Sequence, residues 1–221
     1  MPWPSRERET DRMSKTAVEF WVDPACPWCW VTANWIVTEV APRRDLSLSW
    51  QPISLLFKNN PDPESQYYES TFATHRMLRV MEAIRAARGE DAVFAWYWQC
   101  GTRVHHDKDR LFDLADALEH IGLDRELALA ADDESWDVEL RRRMDLGLEL
   151  VGDDVGTPII AFTCTDGTKR GIFGPVLTRV PSTEKSLQVW DAMTALTTLD
   201  GFWELKRTRN ERPELGPRPE V

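Results

Sequence analysis

The sequence predicts an α/β fold in which a βαβ unit and a ββα unit are separated by a large all-helical insertion. The first unit is predicted by an apolar run, Ala17–Val22, a helical pattern, Pro27–Val40, and an alternating run, Leu46–Trp50. The second unit is predicted by two strands, Gly156–Thr163 and Arg170–Phe173, which flank a hairpin turn. No strand pattern occurs between the two units, so the long region that separates them is expected to be helical.

The middle of the chain has helical patterns that are interrupted by glycines. Glycine readily adopts the left-handed conformation that ends many helices. The glycines expected to stop helices are Gly89, Gly101, Gly122 and Gly152. The helices predicted for the insertion are Glu64–Arg88, Asp91–Thr102, Leu111–Ile121, Asp124–Ala130 and Glu134–Leu150. The ββα unit ends in an amphipathic helix, Thr183–Leu199, and Phe202–Arg207 is expected to extend this helical region.

This order of elements predicts how the chain divides into domains. Residues 17–58 and 153–209 are expected to form one domain, and residues 59–152 the helical insertion within it. Residues 1–16 are polar and of mixed charge, which predicts a flexible extension. Residues 210–221 are rich in proline and charge, which predicts a disordered tail.

The composition argues against two classes of partner. A net charge of −10 and a pI near 5.0 disfavour binding to nucleic acids or anionic membranes. No apolar run approaches the ~20 residues of a membrane span. Met1–Thr16 has neither the apolar core nor the small-residue cleavage site of a secretory signal, so a cytoplasmic protein is expected.

Two thiols three positions apart stand at the junction between the first strand and the first helix. Cys26-Pro27-Trp28-Cys29 at such a junction is typical of thiol–disulfide exchange on a thioredoxin-like βα unit. Unpaired N–H groups and the dipole at a helix N-terminus favour a thiolate, and proline suits the first turn. Cys26 is therefore the predicted catalytic nucleophile, and Cys29, inside the helix, is the predicted resolving thiol.

Metal binding and haem attachment are the other uses of a Cys-x-x-Cys pair. Structural zinc takes four ligands, and the chain has no second Cys-x-x-Cys motif and no His-x-x-x-His pair. Haem attachment needs a histidine directly after Cys29, where Trp30 stands. No metal site is therefore predicted. Cys100 and Cys164 stand alone, which favours ordinary small apolar positions.

Thr157-Pro158 is the second predicted part of the site. In thioredoxin-like folds a cis proline enters the strand that faces the dithiol, although only about 5–6% of X–Pro bonds in folded proteins are cis. A proline there directs no N–H at the sulfurs and leaves the preceding backbone free to pair with a substrate. The alternative is a trans proline that opens an edge strand. Trp28, between the cysteines, is expected to offer a flat apolar face beside Cys26 for an aromatic substrate.

Other polar residues are expected to have ordinary positions. His105 and His106 are conceivable acid–base groups, but a helix end or solvent position is favoured. The charge runs Arg141–Arg143 and Lys206–Arg209 are expected to be solvated faces, although a cation near the cleft would steer an anionic thiol.

Further short motifs occur along most of the chain. They are Phe20-Trp21, Asp23-Pro24, Ser54-Leu55, Gln66-Tyr67, Gly101-x-Arg103-x-His105, Gly152–Pro158, Phe173–Leu177 and Glu204–Arg209. Together with Cys-Pro-Trp-Cys, they resemble the DsbA-like thioredoxin-fold family that includes the mycothiol-dependent nitroreductases of actinobacteria.

The resemblance implies a cytosolic reductase that takes its electrons from mycothiol or a similar small thiol. It implies no tightly bound cofactor beyond a redox-active Cys26–Cys29 disulfide. The pocket over the dithiol would accept small nitroaromatic compounds, with Asn59 and Tyr67 lining it under a helical lid. The substrate-binding residues expected on this basis and on the motifs above are Pro27, Trp28, Asn59, Tyr67, Thr157 and Pro158.

Three other functions stay open at the level of sequence. A DsbA-like protein-disulfide oxidoreductase would act on polypeptides. A thiol-dependent isomerase would use a thiol cofactor, but such enzymes usually dispense with the second cysteine, which this chain keeps. A redox sensor or binding module of the same fold would be oxidised without turnover.

Overall fold

The computed structural model describes residues 15–164 and 166–220. Most of the predicted N-terminal extension, residues 1–14, and two further positions, 165 and 221, lie outside the described residues. Within the described part of the chain, no helix is long and apolar enough to cross a membrane.

The first unit has the predicted βαβ order. Strand β1 is Thr16–Val22 and strand β2 is Leu46–Pro52. Helix α1, Pro27–Trp35, continues the chain between them and changes to a π-helical turn at Ile36–Val40. A short 3-10 turn, Ala41–Arg43, then ends the helical stretch at the predicted proline.

The insertion is helical, as predicted. Helix α2, Leu55–Asn59, was not expected from the sequence and precedes the insertion proper. The helices that follow are α3 (Gln66–Arg88), α4 (Glu90–His105), α5 (Leu114–His120), a 3-10 helix (Arg125–Asp132) and α6 (Trp136–Val151). Polar side chains accept bonds from free backbone N–H groups at the starts of several of these. These capping residues are Ser54, Ser65, Asp113 and Asp124.

The second unit completes one four-stranded sheet. Strands β3 (Ile159–Thr163) and β4 (Lys169–Phe173) form a hairpin, and helix α7 (Thr183–Thr198) follows them. The strand order is β2-β1-β3-β4. β1 is parallel to β2 and antiparallel to β3, with Phe20 opposite Ile160. Because β1 is central, the segment after it lies at one end of the sheet beside the entry to β3.

The two faces of the sheet are covered by different helices. Phe20 and Ile160 face the main core, which also includes buried residues of α1, α3, α4 and α7. Trp21 faces the other side, where it packs in a smaller cluster with Met144 of α6. The indole of Trp21 donates to the Arg143 carbonyl at 2.8 Å. The last insertion helix therefore covers one face of the sheet, and the main core is continuous with the rest of the insertion.

Trp30 in α1 is fully buried against α4. Gly101 lies inside α4, and a methyl group there would overlap the six-membered ring of Trp30. Gly101 was predicted to stop a helix, and that prediction is wrong: the glycine is needed for close packing. Gly89 and Gly152 do end helices, with φ of 81° and 91°.

Residues 199–220, the described part of the chain after α7, contain neither a helix nor a strand, so the predicted helical extension over Phe202–Arg207 is wrong. Charged residues near the end of the chain, within the predicted tail, form salt bridges with the rest of the protein. Arg179 forms salt bridges with Glu211 and Glu214, and Arg218 forms one with Asp107 at the end of α4.

The close contact between α1 and α4 generates a stability prediction. Gly101→Ala forces Trp30 or the α4 backbone to move, which overpacks the core and lowers the free energy of unfolding by about 1–3 kcal/mol. Gly156→Ala is the matched control, because its new methyl group meets Leu55 at an ordinary 3.6 Å. Denaturant unfolding measures both, and an equal effect of the two substitutions would contradict the packing argument.

Candidate functional site

Cys26 occupies the N-cap position of α1, half-buried and with extended backbone angles. Its sulfur accepts a hydrogen bond from the Cys29 backbone N–H at 3.4 Å. Its thiol also points to the Thr157 carbonyl oxygen, 3.6 Å away. Pro27 stands at the start of the helix, as predicted. The more accessible sulfur therefore lies between the helix N-terminus and the backbone that enters β3.

Cys29 lies one turn deeper and is fully buried. Three oxygens surround its sulfur: the Thr157 hydroxyl at 3.1 Å, the Tyr97 hydroxyl at 3.8 Å and the Trp21 carbonyl at 3.8 Å. The Thr157 hydroxyl also lies 2.7 Å from the Trp21 carbonyl. Since a hydroxyl has one proton, Thr157 can donate it to that carbonyl while it accepts from the Cys29 thiol. When Cys29 ionises, the same proton and that of Tyr97 can turn towards the sulfur.

Both cysteines are free thiols in the structure, which corresponds to the reduced pair. The pKa of Cys26 is raised to about 11, chiefly by burial and also by the charge of Asp23, while backbone N–H groups of α1 and the charge of Arg209 lower it. Burial likewise raises the pKa of Cys29, against the hydrogen bonds from Thr157 and Tyr97. The helix N-terminus favours the Cys26 thiolate as the sequence predicts, but burial outweighs it here.

Asp23 is a buried carboxyl group that joins two segments beside the dithiol. One oxygen accepts from the Ala25 N–H and the other from the Leu55 N–H, each at 2.7 Å. It thereby ties the loop before Cys26 to the start of α2. Burial raises the pKa of Asp23 from 3.8 to about 6, against the lowering effect of these hydrogen bonds.

The Thr157–Pro158 peptide bond is cis, as the sequence predicts. A second cis bond, Gly174–Pro175, was not predicted; the Pro175 carbonyl accepts from the hydroxyl of Thr32 in α1 at 2.7 Å. Trp28 is half-buried between the two cysteines, with the guanidinium of Arg209 5.4 Å from its ring centroid.

Asn59 and Tyr67 pair with each other where α2 ends and α3 begins. The Asn59 amide donates to the Tyr67 hydroxyl at 2.6 Å, and Tyr67 is 44% exposed. Burial raises the pKa of Tyr67, against the hydrogen bond from Asn59, and the charges of Asp23 and Cys26 raise it further. A neighbouring cavity of about 380 Å³ is lined by Phe57, Tyr68 and Arg141 among others. Cys26 is not among its lining residues, so it is not the pocket over the dithiol that the resemblance implies.

The two histidines lie at the end of α4, as predicted, where both contact Trp30. His105 is buried and stacks on Trp30, with ring centroids 5.7 Å apart. His106 is half-buried, and its Nε2 accepts from the Trp30 indole at 3.1 Å. Burial lowers the pKa of His105 to about 3, so this imidazole is neutral at physiological pH.

The remaining cysteines, Cys100 and Cys164, are also free thiols. Cys100 is fully buried in the main core, as expected of a small apolar residue, and Cys164 is half-buried at the end of β3. Across residues 15–164 and 166–220, no group of three or more His, Cys, Asp or Glu side chains is arranged to hold a metal ion.

Residues 25–207 match a family described as "Rv2466c-like: Mycothiol-dependent nitroreductase Rv2466c". The match begins one residue before Cys26 and covers most of the chain. The chain belongs to this family. The redox enzyme named in the family description agrees with the dithiol geometry. The resemblance inferred from the sequence motifs is confirmed.

A curated relative and several solved structures extend the comparison. The relative is the uncharacterized protein Rv2286c of Mycobacterium tuberculosis, 25% identical over 199 residues, covering 88% of this chain and 83% of the relative. A probable DsbA oxidoreductase of Streptomyces coelicolor matches with a TM-score of 0.52 at 18% identity, covering 88% of this chain and 94% of that one. MdbA, a thiol-disulfide oxidoreductase of Corynebacterium diphtheriae, matches with a TM-score of 0.51 at 13% identity, over 80% and 86%.

A further solved structure, a 2-hydroxychromene-2-carboxylate isomerase, matches with a TM-score of 0.54 at 15% identity, over 81% of this chain and 95% of that chain. At such identities these structures establish the fold alone. The predicted α/β, thioredoxin-like and DsbA-like fold is confirmed.

Two residues beside the sulfurs were not predicted as site residues. Tyr97 stands in an apolar run, Trp96-Tyr97-Trp98, whose pattern indicates only a buried helix face. Asp23 was noted as part of a motif without a role, although a carboxylate three positions before Cys26 at a strand end was a usable signal. The contact of Tyr97 with Cys29 depends on how α4 packs against α1, which no local pattern encodes.

The buried carboxyl group generates a prediction about pH. The folded protein holds the Asp23 proton up to about pH 6 and the unfolded chain loses it near 3.8, so stability due to this group is present at low pH and falls as pH rises through this window. This difference between the folded and unfolded pKa of Asp23 corresponds to about 3 kcal/mol of folding stability between the fully protonated and the fully ionised group. Asp23→Asn removes that fall, although it also loses an acceptor and is less stable overall.

Urea unfolding between pH 4 and 7 measures the effect. Wild type should lose about 2 kcal/mol more than Asp23→Asn over this range, because at pH 4 the unfolded Asp23 is already partly ionised. Asp153→Asn, at an exposed position, is the matched control and should keep the wild-type pH dependence. Parallel curves for wild type and Asp23→Asn would refute the assignment of the titration to Asp23.

Proposed function

We propose that this chain is a dithiol reductase in which Cys26 is the nucleophile and Cys29 the resolving thiol. The observation that carries this proposal is the arrangement of the pair: a half-buried sulfur at the N-cap of α1, and a fully buried one held by Thr157 and Tyr97. A thiol at a helix start accepts or attacks an incoming sulfur, and the thiol behind it closes the disulfide.

The electrostatics of Cys26 support reduction over oxidation of substrates. A strongly oxidising thioredoxin-fold protein stabilises its reduced form, and a stabilised Cys thiolate is the usual means. Here burial raises the pKa of Cys26 to about 11, so its thiolate has no such stabilisation. The reduced pair therefore has a stronger tendency to give up its electrons, as a reductase requires.

The proposed reaction has two halves. The Cys26 and Cys29 thiols give two electrons and two protons to the acceptor, and a Cys26–Cys29 disulfide forms. For a nitro group these convert R–NO₂ to R–NO and water. A mycothiol thiolate then attacks Cys26, which forms a mixed disulfide and frees the Cys29 thiol. A second mycothiol attacks the mixed disulfide, releases mycothiol disulfide and restores Cys26.

The substrate and the thiol are proposed from the family description, which names a mycothiol-dependent nitroreductase. The half-buried face of Trp28 is suited to a flat aromatic ring, and the Asn59–Tyr67 pair offers an amide and a phenol for a nitro group. Pro27 and Pro158 present no N–H to the sulfurs, and the Thr157 carbonyl offers an acceptor to a docked thiol. A mycothiol-dependent cycle needs a reducing compartment, so we place the protein in the cytoplasm.

The decisive measurement offers the oxidised protein mycothiol or glutathione with a nitroaromatic acceptor, and follows loss of the acceptor. Turnover with mycothiol is expected, and Cys26→Ser should abolish it. Cys29→Ser should accumulate a Cys26 mixed disulfide that is visible in the intact mass, because only a second mycothiol, and no longer Cys29, can then attack it.

Several outcomes would contradict the proposal. Activity retained by Cys26→Ser would remove the dithiol from the mechanism. Efficient reduction of insulin without turnover of any small acceptor would indicate a protein-disulfide oxidoreductase. Isomerisation of a thiol conjugate that survives Cys29→Ser would indicate an isomerase.

The contact between Tyr97 and Cys29 generates a kinetic prediction. Tyr97→Phe removes a donor from the Cys29 thiolate, which should slow its attack on a Cys26 mixed disulfide about three- to tenfold. The reduced protein is mixed with a chromogenic aromatic disulfide. The first aromatic thiolate leaves as the mixed disulfide forms, and the second leaves as Cys29 displaces it, so only the second phase should slow.

Tyr68→Phe removes a hydroxyl from the first turn of α3 and is the matched control. It should leave both phases at the wild-type rates. A wild-type second phase in Tyr97→Phe would show that the hydroxyl does not assist the resolving thiol.

A further inference from the structure

Residues 209–218, here called the C-terminal strap, run across the surface beside the dithiol. The strap has no helix or strand, and its path is set by contacts at two places. One is the loop after β4 and the other is the end of α4, so the strap connects the sheet half of the molecule to the insertion.

The first anchor is the segment Thr178–Arg179. The guanidinium of Arg179 bonds to the carboxylates of Glu211 and Glu214 at 2.6 Å, and the Glu214 N–H donates to the Thr178 carbonyl at 2.7 Å. Leu215 packs against the main core. This bidentate pairing and the backbone bond together fix the middle of the strap more firmly than one exposed ion pair would.

The second anchor is Asp107, directly after α4. Arg218 makes two parallel bonds to its carboxylate, at 2.7 Å and 2.9 Å. Asp107 follows His106, whose imidazole accepts from the Trp30 indole. The far end of the strap is thus attached next to a residue that packs under α1.

The start of the strap lies over the active-site motif. The guanidinium of Arg209 is 5.4 Å from the ring centroid of Trp28, within the range of a cation–π contact. Arg209 itself is exposed, so its charge is not consumed by a buried ion pair. The sequence placed this residue in a charge run expected to be a solvated face, and the structure places it beside the dithiol.

We propose that the C-terminal strap holds Arg209 on Trp28 as a positioning residue whose positive charge favours the thiolate of Cys26. The inference rests on the proposed function in taking Cys26 as the nucleophile. Arg209 contacts Trp28 rather than the reacting sulfur, and it acts on the sulfur through its charge.

The charged groups that reach Cys26 make this role specific. Asp23, a buried carboxyl group, opposes the thiolate, and Tyr67 and Cys29 would also oppose it if they were ionised. Backbone N–H groups at the start of α1 favour it. Arg209 is a full positive charge on the favourable side, in a protein whose net charge is −10.

Alkylation of Cys26 by iodoacetamide tests the proposal directly. This neutral reagent reacts with the thiolate, so below the titration midpoint its rate reports the thiolate fraction. Arg209→Gln should slow the reaction about two- to fourfold, as the loss of one charge near a protein surface implies. Mass spectrometry of the peptide that holds Cys26 separates its labelling from that of Cys164. Because alkylation is measured without turnover, the assay tests the effect of Arg209 on Cys26 even if the proposed reductase activity is not found.

Two further variants separate charge from packing. Arg209→Lys keeps the charge and should keep most of the wild-type rate. Arg212→Gln removes an equal charge from an exposed position of the same strap and should alkylate as wild type does. High salt should shrink the difference between wild type and Arg209→Gln, since the guanidinium is exposed to solvent.

The role of the anchors is tested by Arg179→Gln, which breaks both carboxylate contacts. It should slow alkylation, as Arg209→Gln does, with an unfolding temperature that shows the fold is kept.

The proposal is overturned if Arg209→Gln alkylates at the rate of Arg212→Gln, or if Arg209→Lys is as slow as Arg209→Gln. Wild-type alkylation in Arg179→Gln would overturn the part assigned to the strap.

Discussion

The burial of the Cys29 sulfur is the constraint on which the rest of the site depends. Three segments meet at this atom: α1 carries it, the residue before the cis proline offers Thr157, and α4 of the insertion offers Tyr97. A Cys29 thiolate at this buried position depends on hydrogen bonds from Thr157 and Tyr97, so a shift of any of the three segments weakens its stabilisation. Cys26, one turn earlier in α1, is then held in the cleft between the helix start and the Thr157 carbonyl.

This constraint explains why the insertion is part of the active-site wall rather than an appendage. Trp30 follows Cys29 in the chain and packs so closely on α4 that residue 101 must be a glycine. On the opposite face of the sheet, Gly147 of α6 similarly makes room for Trp21. Two glycines in two insertion helices therefore accommodate the indoles that flank the dithiol. Any movement of α4 relative to α1 changes the surroundings of Cys29, the proposed resolving thiol.

The sequence predicted most of the architecture because its signals are local. Strand patterns, the Cys-x-x-Cys spacing and the proline before β3 each lie within a few residues, and all are found where expected. The missed features are contacts between distant segments. Tyr97 reaches Cys29 across 68 positions of the chain, and Arg209 reaches Trp28 from beyond the last helix. Gly101 was misassigned for the same reason, since a glycine that ends a helix and one that admits an indole look alike in sequence.

In the proposed function, Cys26 must both react with its substrate and give up electrons, and opposing charges explain how one cleft can serve both needs. Burial and Asp23 disfavour the Cys26 thiolate, which makes the reduced pair a better electron donor, but the same effects reduce the population of the reactive form. The helix N-terminus and Arg209 restore part of that population. A thiolate of high proton affinity is also intrinsically more nucleophilic, so a small ionised fraction still supports exchange. The site thus balances the tendency of the reduced pair to give up electrons against the ionised fraction of Cys26. The exposed guanidinium of Arg209 on Trp28 is the part of this balance that can change without disturbing the core.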